Sequence, residues 1–167
     1  MRFTPVAIAL SMFAAVSSSA ILGAAGQPDQ RAVALVAEGR AQLDAGDTQA
    51  AIDSFEAALV IDPSYSAVYL DLASAARSDG LQGKAIHYYR EAQARDPDNL
   101  AAITGEGEAL VEKGALESAR HNLTRLEELC GRTCTETAQL AAAIDRGPPT
   151  PVITAEAVAA DDGVTQN

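Results

Sequence analysis

Aromatic residues are scarce in this sequence, and tryptophan is absent. Aromatics make up 4% of the 167 residues, whereas alanine supplies about a fifth of them. A β-sandwich or β-barrel would need many more aromatic and β-branched residues. Alanine is the strongest helix former and adds little side-chain bulk. The composition therefore favours helices that pack closely through small residues.

Basic residues are also few. The chain has 12 Lys and Arg against 23 Asp and Glu, which gives a formal net charge of −11. Nucleic acids and anionic membrane surfaces are bound through a basic face, so both are disfavoured as partners. Hydrophobic residues make up 48% and charged residues 21%, which is an ordinary globular composition for one domain.

The first residues have the pattern of a signal peptide. Arg2 is followed by an uncharged stretch with an apolar centre at Val6–Val16, which is short for a membrane span. Small residues then offer cleavage sites after Ala20 and after Ala25. We expect a signal peptide over residues 1–25 and a linker over 26–31; the alternative is an uncleaved anchor in the inner membrane. Either case exports the rest of the chain, to the periplasm if the source is bacterial.

The same residue types recur every 34 residues, which is the strongest signal in the chain. Gly46, Gly80 and Gly114 form one aligned set. The other sets are Gly39, Ala73 and Gly107; Ala51, Ala85 and Ala119; and Phe55, Tyr89 and Leu123. The period divides the chain into three repeats, 32–65, 66–99 and 100–133.

Each repeat has the pattern of two helices joined by a turn. Apolar residues at helical spacing predict one helix before Gly46 and a second that ends before Pro63. Gly46 suits a left-handed C-terminal cap. The predicted pairs are 32–45 with 48–61, 66–79 with 82–95, and 100–113 with 116–129.

The last repeat needs a cover for its apolar face. Residues 134–146 predict a capping helix whose apolar stripe is formed by Ala138, Leu140, Ala141 and Ile144. Gly147 and two prolines end that helix. Residues 147–167 are small and acidic with few large apolar side chains, which predicts a disordered tail.

Residues 32–131 resemble the tetratricopeptide repeat family, which places small residues, an aromatic residue and a terminal proline at fixed positions. Its pattern is matched by Gly39, Gly46, Ala51, Phe55, Ala58 and Pro63, by Ala73, Gly80, Ala85, Tyr89, Ala92 and Pro97, and by Gly107, Gly114 and Ala119. The sequence departs from it at Leu35, Tyr69 and Ile103 (for Trp), Glu38 and Glu106 (for Leu), Gln42 and Ala76 (for Tyr) and Gly131 (for Pro). The resemblance implies an all-α, right-handed solenoid of three helix pairs plus the capping helix.

The resemblance also implies a concave groove, lined by the first helix of each repeat, that receives a peptide or helix of another protein. By register its lining is Val33, Val36, Arg40, Leu43, Leu70, Ser74, Arg77, Thr104, Glu108 and Val111. Val36 and Leu70 are the predicted apolar anchors, and Arg40 and Arg77 are predicted to pair with a partner's carboxylate. Some family members clamp a C-terminal carboxylate; the corresponding residues here, Val36, Arg40, Asp71, Ala101 and Gly105, mostly do not match.

Cys130 and Cys134 are the only cysteines. In an exported protein a close pair suggests a disulfide, here between the third repeat and the capping helix. A redox pair or free thiols are the alternatives. Zinc would need two more ligands, and no complete set lies near in sequence.

The remaining polar candidates do not form a catalytic set. His87 and His121 occupy one register of the second helices and are predicted to lie at the surface. Glu38 and Glu106 are interpreted as satisfied residues at repeat junctions rather than as an acid–base pair. We therefore expect a monomeric, non-catalytic protein-binding module without metal or cofactor. The alternatives are a redox accessory protein that uses Cys130 and Cys134, and a structural spacer that binds nothing in its groove.

Overall fold

The computed structural model describes residues 27–149, and this part of the chain contains seven helices and no strand. The helices are α1 (Gln30–Asp44), α2 (Thr48–Ile61), α3 (Val68–Ser78), α4 (Gln82–Arg95), α5 (Leu100–Glu112), α6 (Leu116–Cys130) and α7 (Thr135–Arg146). The all-α solenoid of three helix pairs and a capping helix is confirmed. The predicted signal peptide at 1–25, residue 26 of the linker, and residues 150–167 of the predicted tail lie outside the described residues.

Turn glycines set the length of each helix pair. Gly46, Gly80 and Gly114 have φ of 83°, 72° and 85°, in the left-handed region that glycine adopts without steric cost. Each follows directly on a first helix and its C-cap residue, and the next helix begins two residues later. The 34-residue period is thus the distance between successive left-handed turns.

Glycines inside the first helices allow a different kind of contact, the close approach of an aromatic ring. A Cβ on Gly39 would lie 2.6 Å from a ring carbon of Phe55, and one on Gly105 would lie 2.3 Å from Cζ of Tyr89. No such distance is tolerated between carbon atoms in a packed core. The large ring of one helix therefore fills the space that a small residue leaves on its neighbour.

Two larger apolar clusters and a smaller one run along the array. Phe55, Val36 and Leu72 belong to the first cluster, and Tyr89 and Ile86 to the second. The third joins the last repeat to α7 through Ile103, Leu126, Leu140 and Ala143. Each cluster includes residues of a neighbouring helix pair, so the stacking buries one continuous core.

The buried face of α7 differs from the predicted stripe. Leu140 is buried as expected, but Ala138 is exposed, and Thr137 and Ala143 are buried instead. Two contacts set this rotation of the helix. The Thr137 hydroxyl donates to the carbonyl oxygen of Gly131 at 2.9 Å, and Leu140 occupies the space above Gly107, where a Cβ would lie 2.5 Å from it. The predicted stripe was wrong at Ala138, because apolar spacing does not account for a buried hydroxyl.

The outer face of the first repeat is polar. Gln42 donates to Glu38 at 3.4 Å and accepts a hydrogen bond from the Ser54 hydroxyl at 2.7 Å. Glu38 and Gln42 stand where the family has Leu and Tyr. In an inner repeat, side chains at these two positions would contact the preceding helix pair. A polar outer face suits the end of a solenoid. Across residues 27–149, no helix combines the length and apolarity needed to cross a membrane.

Candidate functional site: the concave face

The concave face is formed by α1, α3 and α5, and its predicted residues divide into exposed and buried sets. Arg40, Ser74 and Val33 are exposed, and Leu43, Leu70, Arg77 and Glu108 are half-buried. Val36, Thr104 and Val111 are buried, at 2%, 4% and 3% exposure. The prediction that Val36 and Thr104 line the groove was therefore wrong, because both side chains lie in the core. Val36 packs into the first apolar cluster, and the Thr104 hydroxyl donates to its own helix at the Leu100 carbonyl, at 2.8 Å.

Arg40 makes a bidentate ion pair with Asp71, which links the first two repeats. Its Nε and Nη2 donate to Oδ1 and Oδ2 of Asp71 at 2.8 and 2.9 Å. The Arg40 side chain is 57% exposed and the Asp71 side chain 17% exposed. The hydrogen bond to Asp71 raises the pKa of Arg40. Because the Asp71 carboxylate already binds the Arg40 guanidinium, a partner's carboxylate would have to displace Asp71 in order to bind Arg40.

Arg77 is held more completely, between two carboxylates of α5. Its Nη1 donates to Glu108 at 2.6 Å, and its Nε and Nη2 donate to Glu112 at 3.2 and 2.5 Å. Burial by itself would lower the pKa of Arg77, but hydrogen bonds to Glu112, Tyr89 and Glu108 outweigh it and raise the pKa above its usual range. Arg77 is therefore part of the groove wall, not the ligand for a partner's carboxylate that the sequence predicted.

A cavity of about 620 Å³ opens beside Arg77. Its apolar wall includes the buried residues Val111 and Ala143. Other lining residues, which the sequence did not indicate, are Gln82, Glu112, Arg146, Gly147, Pro148 and Pro149. Gln82 donates to Glu112 at 3.0 Å, so it extends the network around Arg77.

A spacing in the sequence could have revealed these pairs. Arg40 and Asp71 are 31 residues apart, as are Arg77 and Glu108, and Glu108 and Gln139. The separation equals one 34-residue repeat less about one helical turn, which places the two side chains next to each other on neighbouring first helices. Opposite charges at this spacing predict an ion pair within the groove.

A second cavity, of about 460 Å³, lies between α4, α5 and α6. Glu106 forms part of its lining and is buried at 6% exposure, with oxygens that accept from Arg90 at 2.7 Å, Gln93 at 2.7 Å and Asn122 at 3.2 Å. This carboxylate is fully bound at a repeat junction, as interpreted from the sequence. His121 also lines the cavity, and both His87 and His121 are exposed.

The cysteines lie where α6 ends and α7 begins. Cys130 and Cys134 are joined as a disulfide, and an oxygen of Glu136 lies within 4.8 Å of both sulfurs. Sulfurs that are bonded to each other are not thiolate ligands, which leaves one carboxylate at this position. The geometry fits the structural link that the sequence predicts.

Comparisons with known proteins agree with this geometry. A family model described as tetratricopeptide repeat matches residues 36–99. Residues 36–99 belong to the tetratricopeptide repeat family. A search of curated proteins finds no match to the chain.

Solved structures share its fold. The TPR domain of Sgt2 from Aspergillus fumigatus is similar with a TM-score of 0.63 and 23% identity over 80% of this chain and 95% of that one. The second TPR domain of human RPAP3, in complex with an HSP70 peptide, gives 0.63 and 17% identity over 71% and 98%. The Yersinia enterocolitica type III secretion chaperone SycD, in complex with a peptide of the translocator YopD, gives 0.59 and 24% over 68% and 86%.

Proposed function

We propose that this TPR protein is a monomeric, non-catalytic interaction module that binds a peptide or helix of a partner protein in its concave groove, outside the cytoplasm. The observation that carries the proposal is the concave face itself. Exposed and half-buried side chains of α1 and α3 line this face, and an open cavity beside Arg77 of α3 has Val111 and Ala143 in its wall. Similar folds bind peptides in the human RPAP3 and Yersinia SycD complexes.

The structure changes which groove residues we assign to the partner. Arg40 and Arg77 are bound to carboxylates of the chain itself, so the groove does not present two free guanidinium groups. On α3, Leu70 is half-buried and Ser74 is exposed. Ala67 is exposed just before α3 begins, and Ala101 is exposed on α5. We assign the contact with a partner to these small and apolar positions, where a docked segment can approach the helix backbones.

Blocking the centre of the groove should abolish partner capture without unfolding the protein. Ser74→Arg adds a long side chain at an exposed helix position, where arginine is at least as good a helix former as serine. We expect capture through a photo-cross-linking residue at position 101 to fall at least tenfold in cells, with melting unchanged. The matched control is Ser118→Arg on α6, also exposed, which should leave capture intact. Equal capture by both variants would place the partner's contact away from Ser74, whereas no capture by the wild-type protein would favour the structural spacer.

The export part of the proposal and the disulfide can be tested in one measurement. The Val6–Val16 segment and the sites after Ala20 and Ala25 support export, and export supports oxidation of Cys130 and Cys134. Intact-mass spectrometry without reduction should find, in the extracytoplasmic fraction, a chain that begins at Ile21 or Gly26 and is two hydrogens lighter than its dithiol form. Recovery of the full-length chain in the cytoplasm would refute export. Two alkylatable thiols in exported protein would refute the disulfide and favour the redox alternative.

A further inference from the structure

Opposite charges line the cavity beside Arg77, and they come from different helices. Arg77 of α3 lies between the carboxylates of Glu108 and Glu112 of α5, so this cluster has one negative charge in excess. Arg146, the last residue of α7, is exposed and lines the same cavity. Within residues 27–149 it forms no ion pair, although both carboxylates line the cavity with it. The cavity therefore has a negative wall and a separate cation.

The negative wall can accept further hydrogen bonds. Glu108 accepts one from Arg77 and one from Gln139. Glu112 accepts two from Arg77 and one from Gln82. A carboxylate has about four acceptor sites, so a new donor can bind here without displacing Arg77. Oε1 of Gln82 is buried and has no hydrogen-bond partner in the part of the chain that the structure describes. A buried acceptor without a donor costs free energy, so a ligand that supplies the donor binds more tightly.

A ligand with a single charge is both attracted and repelled in this cavity. A carboxylate that binds Arg146 comes close to the excess negative charge of the α5 cluster, and an ammonium that binds the cluster comes close to Arg146. A ligand that carries both charges avoids both repulsions. We propose that the cavity recognises a partner segment that presents a lysine and an acidic side chain together, with the lysine toward Glu108 and Glu112 and the acid toward Arg146. This names the chemistry of the partner and rests on the proposed function.

A helix of the partner can present the two charges on one face. Residues four apart on a helix are neighbours, about 6 Å apart along its axis. Their attraction for each other on a free helix is weak, so each can leave the other for its own site in the cavity. The cavity of about 620 Å³ has room for both side chains. Lysine suits the negative wall because its ammonium directs three donors from one atom.

Alanine-based helical peptides, blocked at both ends, test this recognition. The two-charge peptide carries Lys and Glu four residues apart, in either order, and its matched controls replace either the Glu or the Lys by Gln. The whole protein, purified as the cell processes it, is titrated while NMR follows the side-chain signals of Gln82 and Arg146. We expect at least one order of the two-charge peptide to shift both signals and to bind at least tenfold more tightly than either control.

Reversing the charge of Arg146 should reverse the preference. In Arg146→Glu both walls are negative, so the two-charge peptide should bind at least tenfold more weakly, and a peptide with Lys at both positions should bind more tightly than it. Lys113→Glu is the matched control, because Lys113 is also exposed at the end of a helix but does not line the cavity. It should leave the preference of the wild-type protein unchanged.

The inference is overturned if no peptide binds, or if a single-charge control binds as tightly as the two-charge peptide. It is also overturned if Arg146→Glu keeps the wild-type preference, or if Lys113→Glu changes it equally. Partner capture and its Ser74→Arg block are measured separately, so each of these results would leave the proposed function standing.

Discussion

Glu106→Ala should lower the free energy of unfolding by about 2–4 kcal/mol, the largest loss we expect from a single polar residue here. Glu106 is 6% exposed, and its carboxylate accepts hydrogen bonds from Arg90, Gln93 and Asn122. Asn122 is itself buried at 7% exposure, so its amide could not turn to water after the change. Arg90, with a side chain 63% exposed, could regain water, which keeps the estimate below the full cost of a buried broken ion pair.

The repeat supplies a matched control for this prediction. Glu38 is the equivalent residue of the first repeat, but it is exposed and only accepts from Gln42 at 3.4 Å. Glu38→Ala should change the free energy of unfolding by less than about 0.5 kcal/mol, since alanine is also the better helix former. The loss of unfolding free energy in Glu106→Gln should lie between the losses in the two alanine variants. The reason is that the new amide nitrogen would face one of the three hydrogen-bond donors.

Urea unfolding followed by circular dichroism measures all three variants. For the two alanine variants we expect equal slopes and clearly separated midpoints. A difference between Glu106→Ala and Glu38→Ala smaller than about 0.5 kcal/mol would show that the polar junction between α4, α5 and α6 contributes nothing net. The Glu at a position where the family has Leu would then be a tolerated departure.

The helices were predictable because their signals are local and repeated. The predicted spans 48–61 and 82–95 match α2 and α4, and the others differ by at most two residues at either end. Gly46, Gly80 and Gly114 mark a backbone conformation that few other residues adopt, and three copies of one pattern reinforce each other. The helix pairs follow from these positions, and the solenoid follows from their resemblance to the tetratricopeptide repeat pattern.

The groove was less predictable because its lining depends on how neighbouring helices sit against each other. Val36, Leu70 and Thr104 share one register, yet Leu70 is half-buried and the other two are buried. Only a narrow stripe of each first helix faces the groove. A small rotation of the helix therefore moves a residue at the edge of that stripe into the core. The carboxylates that bind Arg40 and Arg77 lie on a neighbouring repeat. The apolar spacing within a single helix does not show which residues of neighbouring repeats meet.

Arg77→Ala should cost about 1–3 kcal/mol of stability, whereas Arg40→Ala should cost less than about 1 kcal/mol. The Arg77 side chain is 25% exposed and lies between the carboxylates of Glu108 and Glu112, whose side chains are 13% and 27% exposed. Its removal leaves two negative charges close together in a partly buried site. Arg40 is 57% exposed, and its removal leaves only Asp71 without its cation. Exposed pairs contribute little because water and salt screen them.

A double-mutant cycle separates this repulsion from a simple loss of packing. Glu112→Gln should destabilise the wild-type protein slightly, because it weakens the bond to Arg77. In the Arg77→Ala background the same change should instead be neutral or stabilising, because it removes one of the two unpaired charges. The sign reversal, measured by urea unfolding at neutral pH, identifies Arg77 as the cation that holds the α5 carboxylates in the groove wall. If Glu112→Gln costs the same in both backgrounds, the two residues are not coupled and Arg77 is available to a ligand after all.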